Sequence, residues 1–509
     1  MTAGGEALRQ RLAYVQLGLV VLTTFGSYGY FHPDEHFQIL ELVGLKLGLT
    51  GPTDLTWEYG RAMRPWLQPA IYYGIARAIR AVGIWDTFWM AWVFRLATAL
   101  LAWRAASELA RAELRHLTDL GDRRAHVLVT SLAPFLPYLF ARASSENLSG
   151  ALLALGYVAL VRAMDARRAR AFVVAGVLLG LACEVRYQSA FFVIGLGLWA
   201  IGVARLRREL ALLALGVAAT VPVGLLCDRW GYGRWVFAPW EYFRANVVEG
   251  AAAGFGREPF VAYLWLPAAN VLAPAVVIVS VSCLLAWIRH RRHPLTWGLV
   301  AYVVAHSAVS HKEERFMFPV AAFAASMVVL GLSPSAGGAT PALAARAGGW
   351  LWSRRASLLA KGAYLVGFAA LALLAVYPLS WRSAMQVYRW FYRNEVRAPR
   401  VFTLTPVEYL PFYMRERWDM VRLSREVCIA DQVVDRPSYL VVDPFGPPVD
   451  FAALGVRGRH RFTDTPIAAL GPTLARVDAW ALRAGLPAPR VEWHAIYEIA
   501  RSGEGCGSP

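Results

Sequence analysis

LGLVVLTTFGSYGY, Leu17 to Tyr30, runs through Phe31 into HPDEHFQ, His32 to Gln38. The first stretch is the apolar end of a membrane-crossing helix. The second sets two carboxylates and two imidazoles at the mouth of that helix. Ionisable groups at such a place are costly, so a plain membrane anchor does not carry them. A second charged island, HKEERF at His311 to Phe316, lies between two further apolar stretches.

The bulk composition extends this reading to the whole chain. Of 509 residues, 57% are hydrophobic and 17% charged, against roughly 45–50% apolar and about 25% charged in soluble domains. A spanning helix needs about 20 mostly apolar residues. Candidates lie at 12–30, 87–106, 125–141, 147–162, 171–187, 189–204, 209–227, 264–288, 294–309, 316–333 and 358–379, about eleven spans. The stretch 69–84 is also apolar, but Arg77 and Arg80 sit one turn apart in it, which predicts a helix along the membrane surface.

Arginine placement supports the count. With the N-terminus inside, alternate connections hold Arg9 and Arg11, then Arg104 to Arg124, Arg162 to Arg170, Arg205 to Arg208, Arg289 to Arg292, and Arg346 to Lys361. The short turns on the opposite side hold only Arg142, Arg186, Lys312 and Arg315, the bias expected of cytoplasmic against external loops. The same pattern accounts for the formal net charge of +17 without nucleic acid as a partner. Every unusual polar segment then falls on the external face: the loop 31–86, the turn 142–147, the loop 228–263, the turn 310–315 and the tail.

The tail, 381–509, loses long apolar runs and reads as a small α/β domain on that face. Tyr439 to Asp443 predicts a buried strand before a turn at Pro444 to Pro448, Val491 to Ile499 predicts another strand, and Ile467 to Leu486 is partly helical. The remaining residues, 1–380, form the transmembrane catalytic domain. Ser333 to Gly349 is a flexible inside loop. Cys183, Cys227 and Cys283 are small core residues, whereas Cys428 and Cys506 can pair in an oxidising compartment. No cysteine or histidine spacing suggests zinc, so no metal ligand is assigned.

These residues suit sugar transfer from a lipid phosphate at a bilayer surface. The leaving phosphate needs no general acid, but an acceptor hydroxyl needs one base, and cations must neutralise the departing charge. Asp34 or Glu35 can serve as base, with His32 and His36 to orient them. Lys312 and Arg315 can hold phosphate, one as a point charge and one as a fork, and Arg186 can join them or pair with Glu184. His311 belongs to the same set. Trp57-Glu58-Tyr59 with Arg64, and the aromatic loop 228–263, suit either sugar recognition or an interfacial belt. Glu146, on the short turn 144–147, is ambiguous in the same way.

His32 to Gln38 and His311 to Phe316 together resemble the paired signatures of glycosyltransferase family 22, which contains the dolichyl-phosphate-mannose-dependent mannosyltransferases of GPI-anchor and N-glycan assembly. The likeness continues through Thr56 to Tyr59 with Arg64, Val185-Arg186-Tyr187, and Asp228 to Gly256, and so covers roughly 20–330; the tail matches poorly. It implies a GT-C fold, a polyprenyl- or dolichyl-phosphate mannose donor as co-substrate with no other cofactor, inverting transfer to a glycan or glycolipid acceptor, and a base from the acidic pair, Asp34 before Glu35. Lysine is nearly absent (Lys46, Lys312, Lys361), as in a GC-rich genome, which points to a bacterial inner membrane with a periplasmic site; a eukaryotic source implies the endoplasmic reticulum and its lumen. Two alternatives share these features: a transferase of another lipid-phosphate-linked sugar, and a transporter of lipid-linked glycans. A transporter predicts charges at mid-bilayer and broken helices, whereas the charges here cluster towards one face.

Overall fold

The computed structural model describes residues 3–332, 382–424, 427–463 and 494–502, apart from short breaks at 28, 134, 265, 267–272, 434–435 and 446, together with the lone positions 362 and 476. The chain divides into two units. One comprises Met1–Gly26, Thr56–Ala78 and Trp92–Tyr377; the other comprises Ser27–Leu55, Ile79–Ala91 and Pro378–Pro509. Residues of the first polar loop thus share a unit with the tail.

The longer helices, in chain order, are α1 (Ala3–Gly26), α2 (Leu67–Ala81), α3 (Thr87–Glu113), α4 (Leu120–Leu132), α5 (Ser145–Ala166), α6 (Ala169–Val185), α7 (Ala190–Gly202), α8 (Arg207–Ala218), α9 (Val221–Tyr232), α10 (Ala273–Arg289), α11 (Pro294–Ala308), α12 (Ala321–Leu332) and α13 (Arg382–Arg393). Each expected span from 12–30 to 316–333 falls on one or two of them, and 358–379 lies outside the described residues. Among the described residues, three helical stretches are long and apolar enough to cross a membrane on length and composition: Ser145–Ala166, Arg207–Tyr232 and Glu314–Leu332. By that measure the expected count of about eleven is not reached. Length accounts for α6, α11 and α7, with 17, 15 and 13 residues, whereas α1 and α3, with 24 and 27 residues, miss on composition.

Helix packing in the first unit depends on small residues. A Cβ on Gly176 of α6 would lie 2.1 Å from the Leu213 carbonyl oxygen of α8, and one on Gly216 of α8 would lie 2.2 Å from the Val173 carbonyl oxygen. The two backbones touch, and no side chain fits between them. Such close approach replaces the hydrophobic driving force that apolar surroundings remove. Around this contact, Tyr157, Leu179, Phe192, Leu196, Tyr302 and Phe323 are fully buried in one continuous core.

The second unit holds a five-stranded mixed sheet in the order β2-β1-β3-β5-β4. Its strands are β1 (Arg400–Thr403), β2 (Asp419–Arg422), β3 (Ser438–Val442), β4 (Val456–Thr463) and β5 (Ala495–Arg501). β3 pairs parallel with β1 and antiparallel with β5, and all five of its residues are buried, as an uninterrupted apolar run requires. The strand expected at Tyr439 to Asp443 is therefore central, and the one expected at Val491 to Ile499 begins at Ala495. β4 escaped the sequence reading because its alternation is arginine-rich. It is an edge strand with mostly exposed residues, where charge discourages further pairing. Cys428 is disulfide-bonded, while Cys506 and Ile467 to Leu486 fall largely outside the described residues.

Candidate active site

The HPDEHFQ segment belongs to the second unit. His32 caps a short turn, Pro33–Glu35, and its Nδ1 accepts the Asp34 N–H at 3.2 Å. Proline at the first position of this turn lacks the N–H that would otherwise need an acceptor. The two carboxylates then diverge. Glu35 is 8% exposed, and its Oε1 accepts the Phe31 N–H at 3.2 Å, closing the segment on itself. Asp34 keeps 26% of its side-chain surface, with Oδ1 3.6 Å from His32 Nδ1. His36 is wholly buried. Its Nε2 lies 2.5 Å from Glu41 Oε1, and its ring stacks on Tyr413 at 5.5 Å. His32 is thus beside the acidic pair, whereas His36 pairs with a carboxylate that sequence reasoning passed over.

Glu41 opens the helix Glu41–Leu47 and has no exposed surface. Besides His36 it takes the Thr50 hydroxyl and the Phe412 N–H, the latter at 3.2 Å. Three donors on one buried carboxylate compensate its desolvation.

The HKEERF segment belongs to the first unit. Glu146, at the start of α5 and 3% exposed, receives Arg186 Nη1 at 2.8 Å and Arg315 Nη1 at 3.4 Å. Arg186 follows α6 and is 4% exposed; Arg315 is 8% exposed. Arg186 pairs with Glu146 rather than with Glu184, the partner its neighbourhood in sequence suggested. Arg315 also pairs with Glu313, which lies 2.7 Å from His311 Nε2. Arg186 Nε and His311 Nδ1 are buried and have no hydrogen-bond partner. Both guanidinium groups lie over the Phe316 ring, at 5.6 and 5.1 Å.

Lys312 is 4% exposed. Its Nζ donates to the carbonyls of Val309 at 2.6 Å and Glu258 at 3.0 Å, and its own N–H donates to Glu258 Oε2 at 3.0 Å. One of its three ammonium hydrogens therefore ties the turn to residue 258, and a second closes the turn on Val309. Nearby Tyr263 is buried, which pushes its hydroxyl well above the ordinary value and keeps it a neutral donor. Glu58 and Arg64 form an ion pair with each other. Arg64 lies 5.4 Å from the Tyr242 ring centre, and its backbone exchanges hydrogen bonds with the Tyr232 hydroxyl. In the same way Asp228 is used as a buried acceptor for the Trp66 N–H, at 3.0 Å.

Glu146, Glu258 and Glu41 are the residues that sequence reasoning under-weighted. Only Glu146 gave a signal, as an acid on a turn of a few residues. Among the described residues, one cluster has metal-ligand composition: Glu113, His116 and His293. His293 Nδ1 accepts the Leu295 N–H at 3.2 Å, and its Nε2 lies 3.3 Å from Glu113 Oε2; both of these facing atoms are buried and make no hydrogen bond.

The fold resembles that of ArnT from Cupriavidus metallidurans bound to undecaprenyl phosphate, with a TM-score of 0.56 at 13% identity over 100% of both chains. A mainly helical membrane fold of GT-C type with a small appended sheet is thereby established. Residues 13–400 match the model of the Alg9-like mannosyltransferase family, and the chain belongs to that family. Relatives include GPI alpha-1,2-mannosyltransferase 3 of Xenopus laevis, 25% identical over 57% of this chain and 54% of the relative. The Mus musculus protein of the same name is 26% identical over 63% and 58%. Mannosyltransferase APTG1 of Arabidopsis thaliana is 25% identical over 57% and 53%. The chain thus spans about half the length of the curated relatives it matches.

Proposed function

We propose that this chain transfers mannose from a polyprenyl-phosphate-mannose donor to a glycan acceptor carried on a lipid, with inversion at the anomeric carbon. Asp34 takes the proton from the acceptor hydroxyl as its oxygen attacks the anomeric carbon. The bond from that carbon to the phosphate oxygen breaks, and the lipid phosphate leaves with the electron pair. Arg186 and Arg315 neutralise it. Family membership supports the sugar and the class of acceptor. The donor serves as co-substrate, and this chemistry calls for no further cofactor.

One observation carries the assignment of the phosphate site. Arg186 is buried, yet its Nε has no acceptor. An unmet buried donor costs about 1–3 kcal/mol and more when charged, a cost that an arriving phosphate oxygen removes. Lys312 keeps one ammonium hydrogen for the same anion while its other two hold the turn. Asp34 is preferred to Glu35 because Glu35 closes its own loop. The arginine bias supports about eleven spans with this site on the external face.

The test is transfer by the purified chain from polyprenyl-phosphate [14C]mannose to a panel of lipid-linked glycans, with GDP-mannose as the competing donor. Transfer from the lipid donor alone is expected. Use of GDP-mannose, or no transfer from either, defeats the reading. Arg186→Lys, which keeps the charge but loses the fork, is expected to raise the donor KM about tenfold or more; an unchanged KM removes Arg186 from the phosphate site.

A further inference from the structure

Within the second unit, the segment Gly48 to Gly51 faces the tail segment Pro411 to Arg417 across a cavity of about 360 Å³. This volume lies in the usual range for small-ligand sites, about 300–1,000 Å³. Its lining is unlike that of an apolar ligand pocket. Thr50, Arg415, Glu416 and Arg417 contribute hydroxyl and charge, and Gly48 and Gly51 add main chain without side chains. Gly48 sits at φ +76° with nothing within 4 Å of where a Cβ would stand, so the chain turns there and opens space. Arg417 pairs with Asp54, whose Oδ2 also accepts the Gly51 N–H at 2.9 Å, and this fixes one wall. Arg415 lies 3.3 Å from Glu395, with 42% of its side chain exposed. Alternating donors and acceptors on a fixed backbone suit vicinal hydroxyl groups rather than a lipid tail.

The same walls are wired to the acidic motif. Thr50 on one side and Phe412 on the other both donate to Glu41, and Glu41 holds His36, two residues after Asp34. A ligand that settles Thr50 and residues 411–414 also settles the carboxylate that orients this segment.

We propose that this cavity is a binding subsite for a short mannose-containing oligosaccharide, the sugar portion of the acceptor, and that Glu41 is a positioning residue linking it to Asp34. The inference deepens the proposed function and rests on it for the word acceptor. The subsite itself is tested by binding alone. The probe is free α-mannotriose, added to the purified full-length protein in detergent and followed by saturation-transfer NMR. Saturable millimolar or tighter binding is expected. The double variant Arg415→Ala, Glu416→Ala should weaken it at least tenfold, and Asp34→Asn should leave it unchanged while cutting transfer by about 10²–10⁴-fold. Binding that the double variant does not alter, or no binding at all, overturns the subsite.

If transfer fails with every donor while mannotriose binding responds to the double variant, the enzyme reading falls and the subsite stands. For Glu41, Glu41→Gln should lower kcat at least tenfold and move the pH profile with acceptor KM within about twofold, and Glu41→Asp should recover part of the loss. Equal losses in Glu41→Gln and Glu41→Asp with an unmoved pH profile reduce Glu41 to a structural role.

Discussion

At the scale of single residues, the two carboxylates of one dipeptide receive different work from their surroundings. Glu35 is spent on the Phe31 N–H and is buried; Asp34 keeps solvent access beside His32. A general base contributes about 10²–10⁴-fold. Asp34→Asn should therefore cut kcat by that range with the melting temperature unchanged, while Glu35→Gln should act mainly on thermal stability, both read on the same detergent-purified preparations. Glu146 gives a second residue-scale prediction. It is the shared counter-charge of two buried guanidinium groups. Removing one partner of a buried pair costs about 3–5 kcal/mol, so Glu146→Gln should lower the unfolding midpoint by several degrees as well as impair donor use. A variant as stable as the parent would show that the arginines are otherwise compensated.

At the scale of elements, the contact between α6 and α8 admits no side chain at Gly176 or Gly216. Overpacking usually costs about 1–3 kcal/mol, and here the obstacle is backbone, which cannot swing away. Gly176→Val should abolish monodisperse protein on size exclusion, whereas Gly197→Ala, whose Cβ meets only Leu210 at 3.8 Å, should not. The sheet carries a pH prediction. Burial holds His494 at about 4, against 6.5 in the unfolded chain, although its bond to the Pro406 carbonyl at 3.2 Å works the other way. Between those values the unfolded chain binds a proton that the folded one refuses, so stability falls as pH drops from about 6.5 to about 4, by at most about 3 kcal/mol. Protection factors of the β3 and β5 amides, corrected for the intrinsic exchange rate at each pH, should fall over that window, and His494→Gln should flatten the response.

At the scale of the molecule, charge sets orientation. The arginine-rich connections and the polar, aromatic ones alternate along the chain. Trp235, 68% exposed, lies in a connection assigned to the outside, and Arg168 lies in one assigned to the inside. Cysteines introduced singly at these positions should react differently with an impermeant maleimide: Trp235→Cys in intact cells, Arg168→Cys only after lysis. The reverse labelling would put the HKEERF turn on the cytosolic side and exclude an external site.

Much was legible in the sequence because membranes and helices impose local rules. Apolar length, arginine bias and the small residues of Gly176 and Gly180 mark the helical part, and the two charged signatures mark the family. β4 was not legible, since an edge strand under a charged face lacks an apolar alternation. Nor was the role of Lys312, because its acceptors are main-chain carbonyls that no residue type announces. The sequence by itself determined a mainly helical membrane chain of this family and marked its candidate reactive groups, since transfer out of water depends on composition and order alone. Tertiary structure decided which charges meet: Glu146 with Arg186 and Arg315, and Glu41 with His36, Thr50 and Phe412. Such pairings join positions up to hundreds of residues apart, and a buried charge is stable only where folding brings its partner.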